Sequence, residues 1–488
     1  MRKTVNDILL LWLYLISLFA LGIFGIHKFF LLHTFRKYKK QPLTEPPTPE
    51  NWPLVTVQLP VFNERYVMKR LLKSVARLDY PADKLHIQVL DDSTDDTVKI
   101  TARFVKFLKK RGLNIDHVRR PNRVGFKAGA LAYGVSQTPA EFLAIFDADF
   151  VPNPDFLKKT IPHIIQPGIG MVQTRWGHIN RNYSLLTKLQ AIFLDAHFII
   201  EHLARNRSGR FFNFNGTAGV WRKQAIIDAG GWQHDTLTED LDLSYRAQLA
   251  GWRFIYLPDV VSPAELPAEM NGYKNQQHRW AKGAVQTALK LVPRIWKSDF
   301  PLHVRLEGIV HLSNNFAYLL MAIPAVLLVP IVKIQMNMGD VPWKLVFVYF
   351  TVFFTATFSV LNYYSVAIRE SLGRKWPEIL YLPLMMALGI GLSLNNGRAA
   401  LEALIGHQSE FKRTPKYKLE GKKDSWRKKL YKPGRSYQHV LEILIASYFG
   451  YGMFYFVSHE IYYSMPFFLL FLVGFSYIGL SSLAGQRR

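Results

Sequence analysis

The chain has 488 residues, 49% of them hydrophobic and 14% aromatic, and a formal net charge of +25. That length exceeds a usual single domain, and so basic a composition points either to nucleic acid or to the cytoplasmic loops of a membrane protein. With no cysteine in the chain, a disulfide scaffold and a thiolate metal site are both excluded.

The placement of charge decides between the two partners. Basic residues crowd beside long apolar runs, as Arg36, Lys37, Lys39 and Lys40 do, and form no separate basic domain. That favours membrane lipid and argues against nucleic acid. Ile8 to Ile26 is uncharged and long enough to cross a hydrocarbon core. It is too long for a signal-peptide core and lacks a small-residue cleavage site, so residues 1–40 are expected to be a retained transmembrane anchor. Residues 41–52 are a proline-rich linker.

From 53 to 300 strand-like runs at 54–59, 85–90 and 142–146 alternate with helical patterns such as 64–78, where Leu71, Leu72, Val75 and Leu78 share a face. Such alternation predicts a parallel sheet covered by helices. After 300 the composition turns apolar, with candidate spans near 309–332, 345–368, 379–397, 437–458 and 461–485. The segment 412–435 carries eleven Lys or Arg residues and should stay cytoplasmic. The stretch 379–406 therefore cannot cross, and its Pro383, Asn395-Asn396 and Arg398 suit an interfacial or re-entrant helix. The expected topology is five crossings plus one interface helix, with the N-terminus outside.

Several short patterns could carry chemistry. Phe142 to Phe146 is an apolar run of strand length ending in Asp147-Ala-Asp149, two hard oxygen ligands suited to magnesium or manganese against a diphosphate. Alone, that pair reads better as a polar strand exit, because the pattern is short and aspartate favours turns. Ile87-Gln-Val-Leu-Asp91-Asp92 is a second strand ending in acids, where an aspartate could accept hydrogen bonds from a nucleotide or cap the next helix. Lys127 stands between Gly125 and Gly129 near a helix start, where a backbone can approach phosphate. Thr238-Glu239-Asp240 offers a carboxylate able to take a proton from an attacking hydroxyl, or an acidic first helical turn. Gln276-Gln-His-Arg279-Trp280 offers an amide, a guanidinium for diphosphate and a stacking face for a sugar, or a basic membrane-surface helix.

In this order, Asp92, Asp147-Ala-Asp149, Thr238-Glu239-Asp240 and Gln276-x-x-Arg279-Trp280 resemble the processive family 2 glycosyltransferases, the cellulose, chitin and hyaluronan synthases. The flanking strings Lys127-Ala-Gly-Ala-Leu131, Phe214-Asn-Gly-Thr-Ala-Gly-Val-Trp-Arg222 and Glu265-Leu-Pro are most similar to the cellulose-synthase-like A and C branches and their bacterial relatives. Phe411-Lys-Arg-Thr414-Pro-Lys416 resembles the gating-loop motif, departing from it at Arg413, where a small apolar residue is usual.

The resemblance implies a GT-A (Rossmann-like) α/β domain on the cytoplasmic side of the cell membrane, over residues 53–300. Residues 301–488 would be a transmembrane channel region, with the interface helix at 379–406 and the gating segment at about 407–436. It implies inverting transfer with Asp240 as general base, and Asp92, Lys127, Asp147, Gln276 and Arg279 on the nucleotide sugar. Asp149, with Asp147, would hold Mg or Mn. Trp280, Thr238 and Glu239 would meet the acceptor, and Phe411, Thr414 and Lys416 would close over the nucleotide.

The expected partners are a nucleotide-sugar donor, a growing polysaccharide and membrane lipid, with any accessory export subunit unspecified. The product would be a β-linked glucan or mannan, with β-1,4 links placed first, translocated across the membrane, and with UDP-glucose placed slightly ahead of GDP-mannose. Trp343, Tyr363, Tyr364, Tyr448 and Tyr451 could stack on sugars in a channel, although an interfacial aromatic belt or lipid-facing surface explains most of them better. Two other functions compete. A non-processive enzyme adding one sugar to a lipid needs neither Gln-x-x-Arg-Trp nor the later spans, and a nucleotide-binding transporter or scaffold needs no base.

Overall fold

A computed structural model describes the chain except residues 1–4, 338–342, 374–375, 410–412, 422, 428, 432–436, 463–464 and 487–488. Strands β1 (Val55–Val61), β2 (Leu85–Asp91), β3 (Ile115–Val118) and β4 (Phe142–Ile145) alternate with the helices Met68–Val75, Thr97–Lys109 and Phe126–Ser136. In the first of these helices Met68, Leu71, Leu72 and Val75 are buried, at positions i, i+3, i+4 and i+7. Each buried leucine there contributes about 1.5–3 kcal/mol. β5 (Ile169–His178), β6 (Gly219–Arg222) and β7 (Arg253–Ala264) complete a seven-stranded sheet in the order β3-β2-β1-β4-β6-β5-β7.

β3, β2, β1 and β4 pair in parallel, so their carboxyl ends open on one edge. A purely parallel sheet is not what forms, because β6 runs antiparallel to both neighbours. The chain reaches β6 from residues 213–218, which already lie along that open edge. The strand must then run away from it.

Among the described residues five helices are long and apolar enough to cross a membrane: Asn6–Tyr38, Phe316–Met336, Pro377–Leu404, Gln438–Ser458 and Met465–Gln486. Length and composition alone decide that count. It includes Pro377–Leu404, expected as an interface helix, and leaves out the helix Trp343–Leu372, expected as a crossing.

The contacts of Pro377–Leu404 are distinctive. At one end Glu378 pairs with Arg181 at 2.8 Å, and at the other Glu402 pairs with Lys282 at 3.1 Å and His278 at 3.2 Å. Between them the Asn395 amide donates to the Lys274 carbonyl at 3.0 Å. Gly391 packs so closely on the helix Met465–Gln486 that a Cβ would stand 2.6 Å from the Gly474 carbonyl oxygen. A buried Lys274–Glu442 pair ties the helix Met270–Lys297 to Gln438–Ser458.

Candidate active site

A cleft of about 190 Å3 lies beyond the carboxyl ends of β1, β2 and β4, and most of the sequence candidates line it. The parallel strands account for this, since each delivers the residues that follow it to the same edge. Asp92, following β2, is held by both arms of the Arg120 guanidinium, at 2.8 and 2.6 Å. Arg120 also donates to the Val124 and Phe126 carbonyls, fixing the turn before the helix Phe126–Ser136.

Following β4, Asp147 accepts a 2.6 Å bond from Lys127, and Asp149 accepts a 2.7 Å bond from Lys416. Each carboxylate thus already faces a cation. Two carboxylates complemented by donor phosphates and water are what magnesium usually takes from a protein. Among the described residues no third His, Asp or Glu completes a cluster with them. The pair therefore fits a divalent ion shared with substrate, and not one held by protein alone.

Asp240 sits half-buried in the first turn of the helix Glu239–Leu249, on the cleft wall. Desolvation, and then repulsion from Glu239, push its carboxyl up to about 7, against the pull of Lys127. A carboxyl poised there can act as a base near neutral pH. Lys127 bridges the acids, reaching Asp147 and also the Gly216 carbonyl at 3.0 Å. Burial works against its charge, but Asp147, Glu239 and Asp240 outweigh it and hold the ammonium above its usual range. Gly216 has φ +80°, and a Cβ there would stand 2.8 Å from Asp240 Oδ2 and 3.3 Å from Lys127 Nζ. Only glycine suits both that backbone and that gap.

The long helix Met270–Lys297 brings Gln276, Arg279 and Trp280 into the same cleft. Burial lowers the Arg279 guanidinium, while Glu239, Asp147 and Asp240 favour its charge. Arg279 is therefore aimed at an acid-rich floor, where a diphosphate would compete for it. Glu239 and Thr238 line the cleft too. Thr238 packs against the same helix at Gly283, where a Cβ would meet it at 2.6 Å, so its hydroxyl also serves helix contact.

The gating segment folds back over the opening, with Arg413, Thr414 and Lys416 on the cleft wall. Phe411 and the side chain of Trp343 lie outside the described residues. Arg413, the departure from the family pattern, pairs with Glu64 at 2.8 Å and lies 4.2 Å over the Tyr431 ring. Tyr431 in turn bonds Asp95. Tyr417 N donates to Glu265 at 2.8 Å, and Arg70 holds the other Glu265 oxygen at 2.9 Å.

Glu64, Arg70, Glu265 and Arg123 are functional candidates that sequence reasoning missed. Glu64 and Glu265 carried a signal, since Glu64 comes three residues after β1 and Glu265 directly after β7. Burial, above all, raises the Glu64 carboxyl to about 8, against Arg413. Arg123 lies 3.4 Å from the Phe62 ring centroid and 4.9 Å from that of Phe126, a flat stack beside Asp92 that no spacing rule reveals.

Residues 53–283 match the family described as Glycosyltransferase like family 2. The chain carries a family 2 glycosyltransferase domain. Glucomannan 4-beta-mannosyltransferase 2 of Arabidopsis thaliana is 41% identical over 317 residues, 61% of this chain and 59% of that protein. Glucomannan 4-beta-mannosyltransferase 1 of Oryza sativa subsp. japonica is 40% identical over 318 residues, 61% of each. The namesake from Cyamopsis tetragonoloba is 36% identical over 374 residues, 73% of this chain and 66% of that one. The match thus spans less than two thirds of these relatives' length. Among solved structures, the mannosyltransferase PcManGT from Pyrobaculum calidifontis, in complex with GDP-Man and Mn2+, superposes with a TM-score of 0.55. It does so over 80% of this chain and 100% of its own, at 21% identity. At that identity the likeness concerns the fold alone.

Proposed function

We propose that the chain is a membrane-bound, processive, inverting glycosyltransferase that builds a β-1,4-linked mannan-type polymer from GDP-mannose. The observation that carries this reading is the one cleft in which Asp147, Asp149, Asp240, Gln276, Arg279 and Trp280 meet. The names of the relatives support mannose, which reverses the sequence-based order that put UDP-glucose first.

In the reaction an acceptor hydroxyl oxygen bonds to the anomeric carbon of the donor. The bond from that carbon to phosphate breaks, its electron pair leaves with the nucleoside diphosphate, and the hydroxyl proton passes to Asp240. Lys127 and Arg279 balance the charge that develops on the leaving group. A divalent ion at Asp147 and Asp149, when bound, would neutralise the same diphosphate. Trp280 offers the acceptor sugar a face, and Arg413, Thr414 and Lys416 hold water away from the donor.

The contacts of Pro377–Leu404 support its reading as an interface helix. Both its ends and its middle are bonded to Arg181, Lys282 and Lys274 of the catalytic half, and the gating segment that follows lies over the catalytic cleft. A helix that crossed the membrane would carry that segment to the far side. Polymer leaving the cleft would then pass between the remaining helices, avoiding the several kcal/mol that each unsatisfied polar group costs in lipid.

The test is to supply membranes containing the protein with labelled GDP-mannose, UDP-glucose and UDP-N-acetylglucosamine separately, and to digest the product with linkage-specific hydrolases. A polymer from GDP-mannose, degraded by an endo-β-1,4-mannanase, is the expected result. A single-sugar lipid product, or polymer from UDP-glucose alone, would overturn the proposal.

A further inference from the structure

A buried polar chain runs from the N-terminal helix to the wall of the cleft. Lys28, on the helix Val5–Tyr38, donates to Glu201 at 2.6 Å, and Tyr363 donates to the same oxygen at 2.9 Å. The other Glu201 oxygen accepts from Arg205 at 3.1 Å and from His197 Nδ1 at 3.2 Å. His197 Nε2 then accepts from the Asn215 amide at 3.0 Å, while His202 Nε2 donates to the Asn215 side-chain oxygen. Every proton in this series has one direction. The ring roles follow from the amide, since His197 must accept at Nε2 and therefore donates at Nδ1.

The backbone is shaped for this contact. Residues 197–202 form a π-helical turn inside an otherwise α-helical segment. In an α-helix two residues five apart point about 140° away from each other. The wider turn instead brings the His197 and His202 rings to 4.3 Å, so both reach one amide. Such turns recur at functional sites.

What the amide holds is the strained corner beside the base. Residues 213–218 have no strand of their own, yet they touch each reacting group. The Gly216 carbonyl accepts from Lys127 at 3.0 Å, Gly216 abuts Asp240, and the Thr217 hydroxyl accepts from Asp147 N at 2.9 Å. With one bond to a histidine at each end of its amide, and its backbone N–H donating to Gln173 Oε1 at 3.0 Å, Asn215 acts as a bracket.

We propose that Asn215, held by His197, His202 and Glu201, is a positioning residue for the Asp240–Lys127 pair, and that the N-terminal helix supports it through Lys28. This rests on the reading of Asp240 as base.

The test uses the full chain in lipid nanodiscs, with GDP affinity, donor KM, kcat and melting temperature measured together. Asn215→Ala and Glu201→Gln should each lower kcat by about tenfold or more, with GDP affinity within about twofold of wild type. The double variant should fall no further, because the two act as one unit. Lys28→Met should also lower kcat, and Lys28→Arg should restore it.

A kcat within about twofold of wild type in Asn215→Ala, or a multiplicative loss in the double variant, would overturn the inference. If Glu201→Gln fails to bind GDP, the Lys28→Met and Lys28→Arg pair decides by the same criterion. Asp240→Asn, run alongside, separates the two layers. Its retained turnover would remove the base, whereas an inactive Asp240→Asn beside a fully active Asn215→Ala would remove the bracket alone.

Discussion

At the scale of single residues, the proposed chemistry depends on a carboxylate that is desolvated and still able to ionise. Asp240 is raised to about 7 by desolvation and by Glu239. As a base it must be ionised, so kcat should fall as pH drops below about 7 and level off above it. A pH–rate profile measured with saturating donor checks this, and a flat profile between pH 5 and 8 would refute it. Gly216 is the second dependent point. Gly216→Ala would place a methyl 2.8 Å from Asp240 Oδ2 on a backbone at φ +80°. It should cost about 1–3 kcal/mol of stability, read by thermal melting, and reduce turnover even where the protein stays folded. Asp92, Asp147 and Asp149 were legible in the sequence because they come just after parallel strands, and Asp240 because it opens a helix with three acids in five residues. Arg123 and the Arg120 clamp were not legible, since a guanidinium stacked on Phe62 leaves no spacing signature.

At the scale of elements, the strap from Arg413 to Tyr431 connects the two halves of the chain. It is fastened at Glu64, Asp149, Glu265 and Asp95, all on the catalytic domain. Lys416→Ala removes an ammonium from Asp149 and should raise donor KM by about tenfold with a smaller change in kcat. Steady-state kinetics over a range of GDP-mannose concentrations checks it. The strands at 54–59, 85–90 and 142–146 were readable because buried parallel strands are continuously apolar. The reversal at β6 was not readable, for a four-residue strand carries no sign of direction. The π-helical turn at 197–202 was hidden for a related reason, because nothing in His197-Phe-Ile-Ile-Glu-His202 distinguishes it from an ordinary helix.

At the scale of the whole molecule, the membrane half is organised by which side the strap occupies. The absence of cysteine makes topology directly measurable. A cysteine at Ser425 should be shielded from a membrane-impermeant maleimide in intact cells, and one at His459 should react. The reverse pattern would place the catalytic cleft outside. Apolar spans were legible from composition, whereas the proposed interface character of 379–406 rests on charge placement and on its bonds to Arg181 and Lys282. The most direct test of the account is Asp240→Asn in the purified full chain, with GDP binding and mannosyl transfer measured on the same sample. GDP affinity should stay within about twofold while kcat falls by about 100-fold or more, the usual contribution of a positioned base. Turnover above about a tenth of wild type, with GDP still bound, would contradict Asp240 as the base and with it the mechanism.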